Sequence, residues 1–147
     1  MKKFEFRLKK VLEVKEQFLK KTRRDLAYTE NLRREAKTKL TEMKQNLIEY
    51  CQKMAAEQTE YVAKLKFKHG YFNQLLEEIK TQEENISEIE NRIDEIRKLL
   101  LTRQRDRKVL AKLQERQYEE YTLQLQKEEQ NTLDEIATMG NRELNLS

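Results

Sequence analysis

A heptad seam runs along nearly the whole chain, breaks once near the middle, and meets no proline and only two glycines on the way. From Phe4, steps of three and four residues reach Leu8, Val11, Phe18, Leu32 and Ala36, then Leu40, Met43, Leu47, Tyr50 and Met54. A second run takes in Leu65, Phe72, Leu75, Ile79 and Ile86, then Ile89, Ile93, Ile96, Leu100 and Leu110. Apolar residues recurring at this spacing put one narrow stripe on a helix, and such a stripe is buried only against another helix. The prediction is an all-α fold of two long helices in an antiparallel coiled-coil hairpin. Composition agrees: 147 residues that are 37% hydrophobic and 39% charged cannot fill a globular core, so the seam is the core.

The position of the turn follows from the phase of the two runs. Continuing the first frame past Met54 gives Glu57, Tyr61 and Lys64, whereas the second frame starts at Leu65, one residue late. A chain reversal between about residues 57 and 65 resets the phase without cost. Helix 1 is thus expected over about 4–58 and helix 2 over about 65–139, with a loose tail at 140–147, all as one domain. Gly70 lies inside the second frame and reads as a helix residue, because one glycine costs a helix only about 1 kcal/mol relative to alanine. Gly140, followed by Asn141, reads as the left-handed residue that ends helix 2.

With the reversal near residue 61, antiparallel pairing joins positions whose numbers sum to about 122. Phe4 then meets the neighbourhood of Tyr118, and residues from about 120 onward form a C-terminal helical overhang. Tyr121, Leu125, Leu133 and Ile136 give that overhang an apolar edge with no intramolecular partner, which implies an external one. Polar residues enter the seam toward the same end: Lys15, Thr22 and Asp25 on helix 1, and Arg103, Arg107, Gln114, Gln117 and Gln124 on helix 2. The seam should therefore be firm at the turn and weaker where the two termini meet.

The net charge of +4 is modest but blocky, with basic stretches near both 2–24 and 97–112 and an acidic stretch from Glu77 to Glu95. Such blocks are either solvated helix faces or a footprint for an acidic partner. Catalytic chemistry has little to work with. One histidine, one cysteine and no glycine-rich loop exclude most metal, nucleotide and nucleophile sites, so no catalytic residue, metal or cofactor is expected. Adjacent carboxylates such as Glu83 and Glu84 diverge on a helix. Cys51 reads as a passive thiol and His69 as a solvated residue near the turn. No run approaches the roughly 20 apolar residues that cross a bilayer, and MKKFEFRLKK lacks a signal peptide's apolar centre, so a cytoplasmic chain with no direct membrane insertion is expected.

The ends of the chain carry a resemblance. The opening FEFRLKKVLEVKE and the closing KVLAKLQERQYEEYTLQLQKEEQNTLDEIA are similar to the two ends of the flagellar export protein family FliJ. The closing series stands at Leu113, Glu115, Arg116, Tyr121, Glu129, Gln130, Leu133, Asp134 and Glu135, and the aromatic pair expected early in the second helix stands at Tyr71 and Phe72. The Gly- or Ser-containing turn common before that pair is missing from AAEQTEYVAKLK. The resemblance implies a soluble component of the flagellar type III export apparatus, similar to the central stalk of rotary ATPases and peripheral to the inner membrane. Its implied partners are the export ATPase hexamer, the membrane export gate protein and export chaperones, with the isolated chain a monomer.

Candidate contacts with the ATPase ring are then Phe4, Phe6, Leu8, Arg103, Arg105, Arg107, Leu113, Arg116, Tyr121, Leu133 and Ile136. The arginines would complement carboxylates of the ring. Candidate contacts with the gate or chaperones are the apolar residues off the seam: Ile48, Phe67, Tyr71, Leu76 and Leu101. Two other readings compete. One is a generic structural scaffold or spacer. The other is a nucleic-acid-binding helical arm, against which stands the lack of aromatic residues interleaved with arginine.

Overall fold

The first eight residues contain no Ser, Thr, Asp or Asn to cap a helix, and Lys2, Lys3, Arg7, Lys9 and Lys10 place positive charge where the helix dipole is already positive. Helix formation is accordingly delayed. In the computed structural model α1 spans Lys9–Ala56, so helix 1 starts five residues later than the seam alone predicts. Residues 2–6 form a non-helical lead-in, and a turn follows in which Lys9 N–H donates to the Phe6 carbonyl at 3.1 Å. The first α-type bond at this end runs from Leu12 N–H to the Leu8 carbonyl at 2.9 Å. The second helix, α2, spans Val62–Leu146. The structure describes residues 2–57 and 62–146, with side chains to residue 144, and no strand occurs among them.

The two helices pack against each other as an all-α antiparallel hairpin. α1 ends at Ala56 with basic Lys53 in its last turn, a charge suited to the negative end of the helix dipole. Part of the turn expected at 57–65 falls at 58–61, outside the described residues; from Val62 onward the chain is already helical. Gly70 and Gly140 both have negative φ inside α2. For Gly140 this is a correction. The helix does not stop there in a left-handed cap but continues to Leu146, so residues 140–146 of the loose tail expected at 140–147 are helical. Helix propagation needs no side chain at position 140, and no proline follows to stop it.

The chain divides into two compact units, Lys20–Leu101 and the pair of segments Met1–Leu19 and Thr102–Ser147. In the Lys20–Leu101 unit the core consists of Ile79, Ile86 and Ile93 from α2, with Ala36 and the hydroxyl-bearing Thr22 and Thr29 from α1. Thr29 is accommodated because its Oγ1 donates to the Asp25 carbonyl at 2.7 Å, one turn back in its own helix. Gln82 Nε2 donates across the seam to the Ala36 carbonyl at 3.0 Å. Ion pairs flank this core: Arg97 with Glu30, Lys37 with Glu90, and Lys44 with Glu83. As the α1 number rises the α2 number falls, as antiparallel pairing requires. The acidic block of α2 is thus partly met by lysines of α1, and each such exposed pair fixes register more than it adds stability.

In the other unit Phe6, Leu12 and Leu19 are buried. Lys15 pairs with Asp106 at 3.6 Å and Glu16 with Arg107 at 3.5 Å.

Burial corrects the seam of α1 by one residue in its first half. Leu12, Leu19 and Leu26 face the partner helix, while Val11 and Phe18 are exposed, as is Asp25. Beyond Ala36 the predicted positions Leu40, Met43, Leu47, Tyr50 and Met54 are each half-buried. On α2 the run from Phe72 to Leu100 lies on the seam as predicted, but Leu65 is half-exposed, and Arg107 and Gln124 face solvent. Nor is the seam tightest at the turn. No side chain in 37–57 or 62–78 is buried, and near the turn Cys51, Met54, Ala55, Leu65, Lys68, His69 and Phe72 surround an open groove of about 540 Å³.

Candidate functional site

The aromatic start of the chain and the late part of α2 build one cluster. Without a helix to hold it, the Phe4 ring settles edge-on against Tyr118, with centroids 5.3 Å apart, and tilted against Tyr121 at 5.6 Å. The Tyr121 hydroxyl donates to the Lys2 carbonyl at 2.8 Å. Tyr121 is thereby half-covered, Leu125 is half-covered as well, and the overhang begins after Leu125 and not at residue 120.

From residue 126 to 144 every side chain is exposed. Leu133 and Ile136 are each 60% exposed and Met139 is 66% exposed, well above what a seam residue shows. At about 100° per residue, Tyr121, Leu125, Leu133, Ile136 and Met139 fall within an arc of about 120°. The covered stripe of the hairpin thus continues as an uncovered stripe on the overhang. Met139 belongs to this face and is not among the sequence-derived candidates. A strict heptad frame steps past it, whereas the 3.6-residue period of a lone helix includes it.

The remaining ring candidates are placed in three different ways. Phe6 is buried in the core of its unit, and Leu8 and Leu113 are half-buried. Arg103 is half-buried, with its guanidinium carbon 4.6 Å from the Phe18 ring centroid. Its Nε is buried and has no hydrogen-bond partner among the described residues. The exposed Arg107 and Arg116 are drawn to Glu16 and Glu120, the latter one turn along the same helix at 3.8 Å. Arg105 is exposed and forms no ion pair among the described residues.

The shaft candidates lie in the Lys20–Leu101 unit. Phe67 is the most exposed large apolar side chain described, at 76%, and Ile48, Leu76 and Leu101 are also exposed. Tyr71 is partly engaged, its ring edge-on to Tyr50 with centroids 4.8 Å apart, while the Tyr50 hydroxyl donates to the Lys68 carbonyl at 3.0 Å. Lys68 Nζ donates to Glu57 Oε2 at 2.6 Å. That hydrogen bond and the positive charge of Lys68, with lesser help from Lys64 and Lys53, hold the Glu57 carboxyl below its ordinary range against the opposing effect of desolvation.

Among the described residues no group of three or more His, Cys, Asp or Glu side chains is gathered to hold a metal ion, and no helix is long and apolar enough to cross a membrane. Cys51 is half-buried and reduced. An antiparallel helical hairpin whose second helix outruns the first and keeps an apolar face uncovered defines an all-α coiled-coil protein. The family model of the flagellar FliJ protein matches residues 4–143, nearly the whole chain, and the chain belongs to that family. It is a component of the flagellar protein export apparatus. No curated protein and no solved structure matches it.

Proposed function

We propose that the chain is a stalk-like coiled coil that binds the hexameric export ATPase, promotes assembly of the ring and its ATP hydrolysis, and links the ring to the membrane export gate and to export chaperones. The reading rests on one observation above all: residues 126–144 form helix with every side chain exposed and with Leu133, Ile136 and Met139 on one face. A bare apolar helix face is costly in water, and a ring pore would cover it. Each large side chain fully buried there supplies about 1.5–3 kcal/mol before the costs of association. Arg105 would add charge steering at the same end, and Phe67, Ile48, Leu76 and Leu101 are separate exposed apolar positions available to the gate or chaperones. In this role the protein works at the cytoplasmic face of the membrane without inserting into it.

The test is a titration of the export ATPase from the same cell with the purified protein, following ATP hydrolysis and ring assembly. Stimulation that saturates near one chain per ring is expected. Replacing Leu133 and Ile136 together by Asp should abolish it while the helical circular dichroism stays nearly unchanged. No stimulation by the unaltered protein would leave a generic scaffold as the better reading.

A further inference from the structure

The overhang has a chemical character that the ring reading does not require. Residues 126–144 contain five acidic side chains, Glu128, Glu129, Asp134, Glu135 and Glu143, against two basic ones, Lys127 and Arg142. Their placement around the helix is uneven. At about 100° per residue, Glu128, Glu129 and Glu143 fall within about 60° of Leu125, on the face that carries Leu133, Ile136 and Met139, and Glu135 stands at the edge of that face, where it shares a second groove with Asp134, Met139 and Arg142. Leu125, Glu128, Glu129, Thr132 and Leu133 indeed line one shallow groove along α2. Lys127, Asn131, Asp134, Thr138 and Asn141 turn to the opposite side, where Thr138 Oγ1 donates to the Asp134 carbonyl at 2.8 Å and Gln130 Nε2 to the Asp134 carboxylate at 3.2 Å. None of these four carboxylates, on the apolar face or at its edge, forms an ion pair among the described residues.

Resting on the reading of the overhang as a docking element, we propose that residues 126–144 present a combined apolar and acidic face, and that its partner is a protein surface with an apolar floor rimmed by lysine or arginine side chains. The apolar stripe supplies contact area, and the carboxylates along it select against an acidic or neutral groove, where four unpaired negative charges would lose water without compensation. Arg107 and Arg116 already face carboxylates within their own unit, and on the overhang acidic side chains outnumber basic ones five to two, so its own attraction is to a basic surface.

The experiment uses the full chain and two probes, the export ATPase and the cytoplasmic domain of the export gate, with affinity measured across a range of salt. One variant carries Glu128→Gln, Glu129→Gln, Glu135→Gln and Glu143→Gln; a control carries Asp134→Asn on the opposite side. At low salt the fourfold variant should bind its probe about ten-fold more weakly or worse, with a flattened salt dependence, while the control stays within about two-fold. Circular dichroism should show equal helix content in all three. If the fourfold variant binds the ring as well as the unaltered chain while the paired Leu133→Asp and Ile136→Asp change abolishes binding, the ring reading stands and the acidic-face proposal is wrong. If the charge dependence appears with the gate domain and the ring does not bind, the proposal stands and the ring reading fails. Binding to neither probe overturns both. A dimer seen by light scattering and lost in the fourfold variant would make a second copy of the chain the occupant, and would also overturn the proposal.

Discussion

At the scale of single residues, position along the seam decides what a side chain contributes. Ile93 is the most buried large side chain described, with 1% of its surface exposed. Shortening it to alanine removes contacts on a narrow interface that has few ways to collapse, so Ile93→Ala should cost about 2–5 kcal/mol in urea denaturation. Leu133→Ala, at an exposed position, should stay within about 0.5 kcal/mol in the same assay. The Glu57 carboxylate works differently. Its hydrogen bond from Lys68 lowers its folded-state pKa, so the stability it contributes is present above the unfolded-state value and disappears as pH falls through the lowered folded value. Acidification should therefore loosen the end of α1 only below the ordinary glutamate range. In a carboxyl-detected NMR titration the Glu57 midpoint should lie below that range, and Lys68→Met should bring it back up. An unchanged midpoint in the variant would remove Lys68 as the cause.

At the scale of elements, the sequence made the existence of two long helices plain and left their phase and their ends less so. The segment LKKVLEVKEQFLKK offers Val11 beside Leu12 and Phe18 beside Leu19, so two heptad frames fit it equally well. The packed structure takes the leucine frame, which runs on without a phase shift through Leu26, Thr29 and Ala36 to Met54. Phe18 in the outer frame still has a use, as the ring beneath the Arg103 guanidinium. The apolar docking edge was legible from Leu125, Leu133 and Ile136, but its carboxylate border was not, because acidic residues on a coiled-coil surface are too common to stand out until the free length of the helix is known. Glycine was misread once, at position 140. Gly70 and Gly140 both sit in helix interior with open space where a Cβ would go. Replacing either by alanine reduces the freedom of the unfolded chain and meets no neighbour, so Gly70→Ala should raise stability by about 0.5–1 kcal/mol. Gly140→Ala should instead raise the helical signal of the free overhang, since no packed unit depends on it. A fall in melting temperature for Gly70→Ala would mean that backbone freedom at this position is in use.

At the scale of the whole molecule, the division of labour between a packed hairpin and an uncovered extension predicts that stability and partner binding can be separated by one truncation. All side chains from 126 to 144 are exposed, and the last half-covered residue of α2 is Leu125. Ending the chain after Leu125 removes no buried contact and keeps the Phe4, Tyr118 and Tyr121 cluster that ties the lead-in to α2. An isolated helical segment of this length contributes little stability of its own, because helix nucleation is unfavourable and most helical stability in proteins comes from packing. The truncated chain should therefore melt within a few degrees of the full one, with less total helical signal and the same cooperativity. Its stimulation of the export ATPase should be lost, while any binding through the exposed Phe67 region should persist. A melting temperature that falls steeply on truncation would mean that the overhang folds back to cover part of the hairpin, and its apolar face would then be structural and not a docking surface.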